Sequence, residues 1–112
     1  MKRLTDHFNG LTEAEAERLT ILIEECGEVV QAACKILRHG YESTNPTVTN
    51  GETNRTALER ELGDMAHAMT RMANADDINP WEVERRRLSK PAKILPYLHH
   101  QDALAGEEVP RG

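Results

Sequence analysis

Aromatic residues are scarce in this 112-residue sequence: one Trp, one Phe and two Tyr. A chain so short and so short of large rings can build only a modest core from its own side chains. There are two cysteines, Cys26 and Cys34, eight residues apart. On a helix that spacing spans roughly 12 Å, too far for a disulfide within the chain. A pair of free thiols suits a reducing cytosol. No apolar run approaches the roughly 20 residues that cross a bilayer, and Met1-Lys2-Arg3 is not followed by the apolar segment of a signal peptide. Nor is there an excess of positive charge, since the net charge is −5, which argues against a general binder of nucleic-acid polymers. The expectation is a small, soluble, cytoplasmic protein with one domain over residues 1–100 and no membrane partner. Residues 101–112 have little to bury and are expected to be a disordered tail.

What the sequence does have is helical periodicity. Thr12 with Glu15 three residues on is a capping box, which starts a helix at Glu13 and lets it run to about His39, before Gly40. Leu19, Leu22, Ile23, Cys26, Val29, Val30, Ala33, Ile36 and Leu37 fall on one broad arc of that helix. The arc reads as a core face wide enough to touch more than one partner helix. A second helix is expected from about Arg55 to Asn74, capped by Thr53 or Asn54, with Leu58, Leu62, Met65, Met69 and Met72 as its packing seam. Between the two, residues 41–54 are rich in Ser, Thr, Asn, Pro and Gly, either a plain connection or a substrate-covering flap. Asn79-Pro80-Trp81-Glu82 starts a third helix, with Pro80 at its first position, Glu82 closing a capping box and Trp81 anchoring the start. Pro91 should shorten that helix, with a further turn before Pro96. Leu4 and Phe8 are placed to pack on the body. The fold class is therefore all-α: two long antiparallel helices and one or two short ones, completing a four-helix-type bundle by forming a homodimer or a dimer of dimers.

Two acidic motifs sit on the long helices. Glu24-Glu25-Cys26-Gly27-Glu28 lies mid-way along the first, and Glu61-Leu62-Gly63-Asp64 on the second. Glu25 and Glu28 share one helical face through their three-residue spacing, as do Glu61 and Asp64. Glu25 and Glu61 border the apolar arcs, where like charges are costly without a counter-ion. No cation lies within a turn of the first cluster, whereas Arg60 precedes Asp64 by four residues. Two such pairs facing one another make an all-oxygen site suited to Mg²⁺, with Mn²⁺ as a substitute.

A bound Mg²⁺ organises phosphates and activates water for attack on phosphorus. Arg85, Arg86, Arg87, Lys90 and Lys93 crowd one segment and offer the cations a polyphosphate needs, unless they merely form a solvated face paired with Glu82 and Glu84. The pairing of Glu24-Glu25-Cys26-Gly27-Glu28 with Glu61-Leu62-Gly63-Asp64 resembles the EExxE…ExxD signature of MazG-like all-α nucleoside triphosphate pyrophosphohydrolases, over roughly residues 15–90. The resemblance implies hydrolysis of an NTP or dNTP to the monophosphate and pyrophosphate. It implies that Glu25, Glu28, Glu61 and Asp64 ligate Mg²⁺ and that Glu24 orients the attacking water or binds an additional ion. Arg85, Arg86, Lys90 and Lys93 are the candidates for substrate phosphates, although the segment departs from the family's Lys/Asn/Arg pattern. The interval from Glu28 to Glu61 is also longer than in compact members.

Two other readings compete. A di-metal carboxylate redox protein would use Glu-x-x-His sets; Asp64 and His67 give one acid-x-x-His pair, but the first helix has no matching histidine. A non-catalytic helical dimer that binds nucleotides or a protein would need no intact ligand set, yet all four acids are present. His99 and His100 have no cysteine or second histidine pair nearby to complete a zinc site.

Overall fold

The computed structural model describes residues 9–47 and 51–101. The positions of Leu4 and Phe8, and the tail from residue 102, lie outside these. The described residues form three α-helices and no strand: α1 (Glu13–His39), α2 (Asn54–Asn74) and α3 (Pro80–Ile94), with a 3₁₀ turn over Leu95–Tyr97. None of the helices is long and apolar enough to cross a membrane. Two compact units divide between Asp77 and Ile78.

The first unit is a hairpin of α1 and α2. Thr12 caps α1 as a full capping box, accepting from the Glu15 amide while the Glu15 side chain accepts from the Thr12 amide. At the other end Gly40 has φ +87°, a conformation that disfavours any side chain, and its amide still bonds the Ile36 carbonyl. Thr53 caps α2 by accepting from the Thr56 amide. Three contacts show that the helices run antiparallel. Arg18 meets Asp77, Cys26 Sγ lies 3.9 Å from Met65 Sδ, and the Asn54 amide reaches the Lys35 and Gly40 carbonyls. As the residue number rises on α1, its partner's number falls.

The connection between the helices is pinned at its base. Thr44 and Thr53 form an antiparallel bridge, and the Asn54 and Arg55 amides bond the Ser43 and Tyr41 carbonyls. Arg55 also pairs with Glu42 and lies 4.4 Å above the Tyr41 ring. The Tyr41 ring is therefore already covered on one face by the Arg55 guanidinium.

The arc of apolar residues on α1 divides in two. Leu19, Leu22, Val29, Ala33 and Ile36 are half-buried, and Ala32 is buried, whereas Ile23, Val30 and Leu37 are 70, 62 and 86% exposed and Cys26 is exposed as well. The wide arc is thus only half used, because a single facing helix covers a narrower stripe than α1 offers. On α2 the methionine stripe behaves as expected: Met72 and Ala68 are buried, Leu58, Met65 and Met69 are half-buried, and only Leu62 turns outwards.

In the second unit, α3 starts as expected with Pro80 in its first turn. The Asn79 side chain accepts from the Trp81 amide. Two expectations fail there. Glu82 pairs with Arg85 at 2.6 Å, a charge-assisted contact stronger than the backbone bond of a capping box. Trp81 is not buried at the helix start as expected but 79% exposed. A third expectation fails at the helix end, since α3 continues through Pro91 to Ile94. Pro91 has no amide hydrogen, so the helix forfeits one backbone bond there, and a 3₁₀ turn follows at Leu95–Tyr97.

Candidate metal centre

The hairpin brings both acidic motifs to one level. Glu25 and Glu28 project from α1, Glu61 and Asp64 from α2, and one carboxylate oxygen from each lies within 4.8 Å of the other three. The register that achieves this is set beside the cluster, where Cys26, next to Glu25, touches Met65, next to Asp64. Helical spacing placed each pair on a face; the antiparallel packing makes the faces meet.

The cluster straddles the edge of the core. Glu61 is buried, at 8% exposure, Glu25 is half-buried, and Glu28 and Asp64 are exposed. Oε2 of Glu25 and Oε2 of Glu61 are shut off from solvent and make no hydrogen bond. A buried acceptor left without a donor costs about 1–3 kcal/mol, more when charged. The protein's own relief is partial. Arg60 donates to Glu61 Oε1 at 2.6 Å, and to Glu52 at 2.7 Å with its other nitrogen. Arg60 thus serves Glu61 and Glu52, not Asp64, the acid that its four-residue spacing indicated.

Glu28 registers the crowding. Its carboxyl is pushed up to about 7, because Glu61 would accept a hydrogen bond from a protonated Glu28 and repels the ionised one, with Glu25 adding further repulsion and burial a smaller part. A group of four acids, one of them held half-protonated near neutrality, is short of positive charge. Hard divalent cations of the Mg²⁺ and Mn²⁺ kind take all-oxygen donor sets such as this one. The two unbonded buried oxygens fit such an ion, since coordination would supply the partner each lacks.

The remaining candidates fall elsewhere. Glu24 is exposed and outside the group of four. Arg85 is tied to Glu82 and Arg87 to Glu84, so two cations of the basic segment form pairs along α3. Arg86, Lys90 and Lys93 are exposed on the same helix. His67 lies one turn beyond Asp64 and contributes no ligand atom to the cluster, and His99 and His100 are exposed after the 3₁₀ turn.

Two features of the site were not read from the sequence. The Arg60–Glu61–Glu52 chain joins neighbours in sequence with the end of a loop, and only the folded connection shows it. The Arg18–Asp77 pair closes the far end of the hairpin across 59 residues, with Nε and Nη2 of Arg18 donating to the two Asp77 oxygens at 2.5 and 3.0 Å. Comparison with known proteins gives no matching family model, no matching curated protein and no matching solved structure.

Proposed function

We propose that the protein is a Mg²⁺-dependent nucleoside triphosphate pyrophosphohydrolase, converting an NTP or dNTP and water to the monophosphate and pyrophosphate. The observation that carries this reading is the meeting of the four motif acids, with one buried oxygen of Glu25 and one of Glu61 unbonded. The resemblance of the two motifs to the EExxE…ExxD signature supplies the reaction. Glu25, Glu28, Glu61 and Asp64 would hold the cation. When bound, it would neutralise charge on phosphate oxygens and supply a water acidic enough to attack at neutral pH.

The chain's own residues do the rest. Glu61 fixes one side of the site because Arg60 holds it in a single orientation. Glu24, on the solvent side of Glu25, orients the attacking water and receives its proton. The water oxygen bonds the α-phosphorus as the bond from that phosphorus to the bridging oxygen breaks, and pyrophosphate leaves with the electron pair. Arg85, Arg86, Lys90 and Lys93 are the cations that the sequence offers to a polyphosphate, Arg85 only if it gives up Glu82.

The same reading includes a second copy of the chain and a cytoplasmic location. Ile23, Gly27, Val30, Cys34 and Leu37 are all exposed and repeat at alternating four- and three-residue steps, the pattern of a helix-pairing seam. A homodimer, alone or doubled, would cover this seam and complete a four-helix core. The test of function is a panel of NTPs and dNTPs with Mg²⁺, scored for pyrophosphate and monophosphate in equal amounts. Glu25→Gln and Asp64→Asn should each lower the rate by about a hundredfold or more. No release across the panel, or equal release by the variants, would overturn the proposal.

A further inference from the structure

Beside the acid cluster the hairpin opens into a groove of about 630 Å³, within the size range of small-molecule sites. It is a continuation of the same faces. Arg18, Ile21, Glu25 and Glu28 follow one another on α1 at steps of three, four and three residues, and Asp64, His67, Arg71 and Asn74 do so on α2. Arg18, Ile21, His67, Arg71 and Asn74 line the groove, together with Glu17. Because the helices are antiparallel, both series leave the cluster in the same direction. Arg18 and Arg71 are seven residues from Glu25 and Asp64, roughly 10 Å along the axis.

We propose that this groove receives the nucleoside end of the nucleotide whose phosphates meet the acid cluster, an inference that rests on the pyrophosphohydrolase reading. Its chemistry suits a base and sugar better than a phosphate. The charge of Arg18 is already met by both oxygens of Asp77, and Glu17 adds a negative charge to the same lining, so the groove is not a strongly basic phosphate site. The bidentate pair leaves Arg18 as a fixed flat plate, and a guanidinium plane stacks on aromatic rings. His67 offers a second flat group on the opposite helix. The Asn74 amide presents a donor and an acceptor, the pattern needed to read the edge of a base. Ile21 supplies an apolar wall. Among the described residues no Phe, Tyr or Trp lines the groove, so stacking falls to Arg18 and His67.

The inference is tested by titrating ¹⁵N-labelled full-length protein, without metal, with AMP, CMP, GMP and UMP, with the matching nucleosides, and with inorganic phosphate. At least one monophosphate and its nucleoside should shift the amide resonances of Arg18, His67, Arg71 and Asn74, whereas phosphate should leave them in place. Asn74→Ala should weaken the preferred monophosphate about tenfold, and His67→Ala should do so as well. Asn74 and His67 are exposed, so both variants should keep the fold. Groove amides that ignore every nucleoside and monophosphate, or that respond equally to inorganic phosphate, would overturn the assignment. Pyrophosphate release that persists beside such a result leaves the hydrolase reading intact and removes the groove from it. Groove shifts without any release do the reverse.

Discussion

Arg60 donates to one oxygen of Glu61 at 2.6 Å while the other oxygen of the same carboxylate stays buried and unbonded. One cation therefore satisfies half of the most buried acid in the cluster, and Glu52 shares that cation. One oxygen of this carboxylate lies within 4.8 Å of oxygens of Glu25, Glu28 and Asp64. Charge of this kind is tolerated when a ligand completes it.

Glu61→Gln should accordingly raise the thermal stability of the metal-free protein, because it removes a buried like charge and adds a donor. The same change should abolish stabilisation by Mg²⁺. In the wild type a metal at a hundred times its dissociation constant adds about 2.7 kcal/mol, or about 10 °C in Tm for a chain of this size. Melting curves of both proteins with and without Mg²⁺ check both halves.

Acidity should act on the cluster in a set direction. The Glu28 carboxyl, ordinarily near 4.5, titrates at about 7 in the metal-free fold. Between those values the folded state holds the proton that the unfolded chain has released, so metal-free stability should fall as pH rises through that window. Cation binding needs the ionised form, so affinity should rise with pH and level off above about 7. Calorimetric titration in buffers of different ionisation enthalpy should show proton release on binding near neutral pH. Glu28→Gln should remove that release.

The Arg18–Asp77 pair should give the opposite pH signature. Hydrogen bonding from Arg18 holds the Asp77 carboxyl below its ordinary value. Its stabilising effect is complete above the unfolded pKa and is lost as pH falls through the folded one. Urea midpoints followed into acid should show this loss in the wild type and a flatter profile in Asp77→Asn.

The exposed seam of α1 should hold two copies together. Val30→Asp places a charge in the middle of Ile23, Gly27, Val30, Cys34 and Leu37, and should turn a dimer into a monomer by sedimentation at micromolar concentration. Gly27 gives a second readout. A Cβ added there meets nothing within the protomer, so Gly27→Ala should stabilise an isolated hairpin by roughly 0.5–1 kcal/mol. In a dimer that uses the glycine for close approach, the gain should be offset by weaker association.

The sequence was informative wherever a local rule operated. Thr12 with Glu15, Gly40, Thr53 and Pro80 marked helix ends because capping acts within a few residues. The three-residue spacing of the acids placed each pair on a face, and their position beside apolar arcs aimed both faces inward. Local rules failed where a partner was chosen across space. Trp81 has the size of a core residue but is 79% exposed, and Arg60 took Glu61 and Glu52 in place of Asp64. Pro91 did not end α3, which continues to Ile94 without the one backbone bond that Pro91 cannot donate. The groove was not read from the sequence, although His67 and Arg71 continue the stripe of Asp64 at three and seven residues. Its other wall depended on Arg18 meeting Asp77, a pairing that no local spacing encodes.

The central claim is that Glu25, Glu28, Glu61 and Asp64 form one divalent-cation site. Mn²⁺ titration, followed by loss of the free-ion electron paramagnetic resonance signal, tests it without reference to any substrate. The wild type should take up Mn²⁺ saturably. Glu25→Gln, Glu28→Gln, Glu61→Gln and Asp64→Asn should each weaken uptake at least about tenfold, and Glu59→Gln, on the exposed face of α2, should leave it unchanged. Absence of uptake, or uptake indifferent to the four variants, would contradict it.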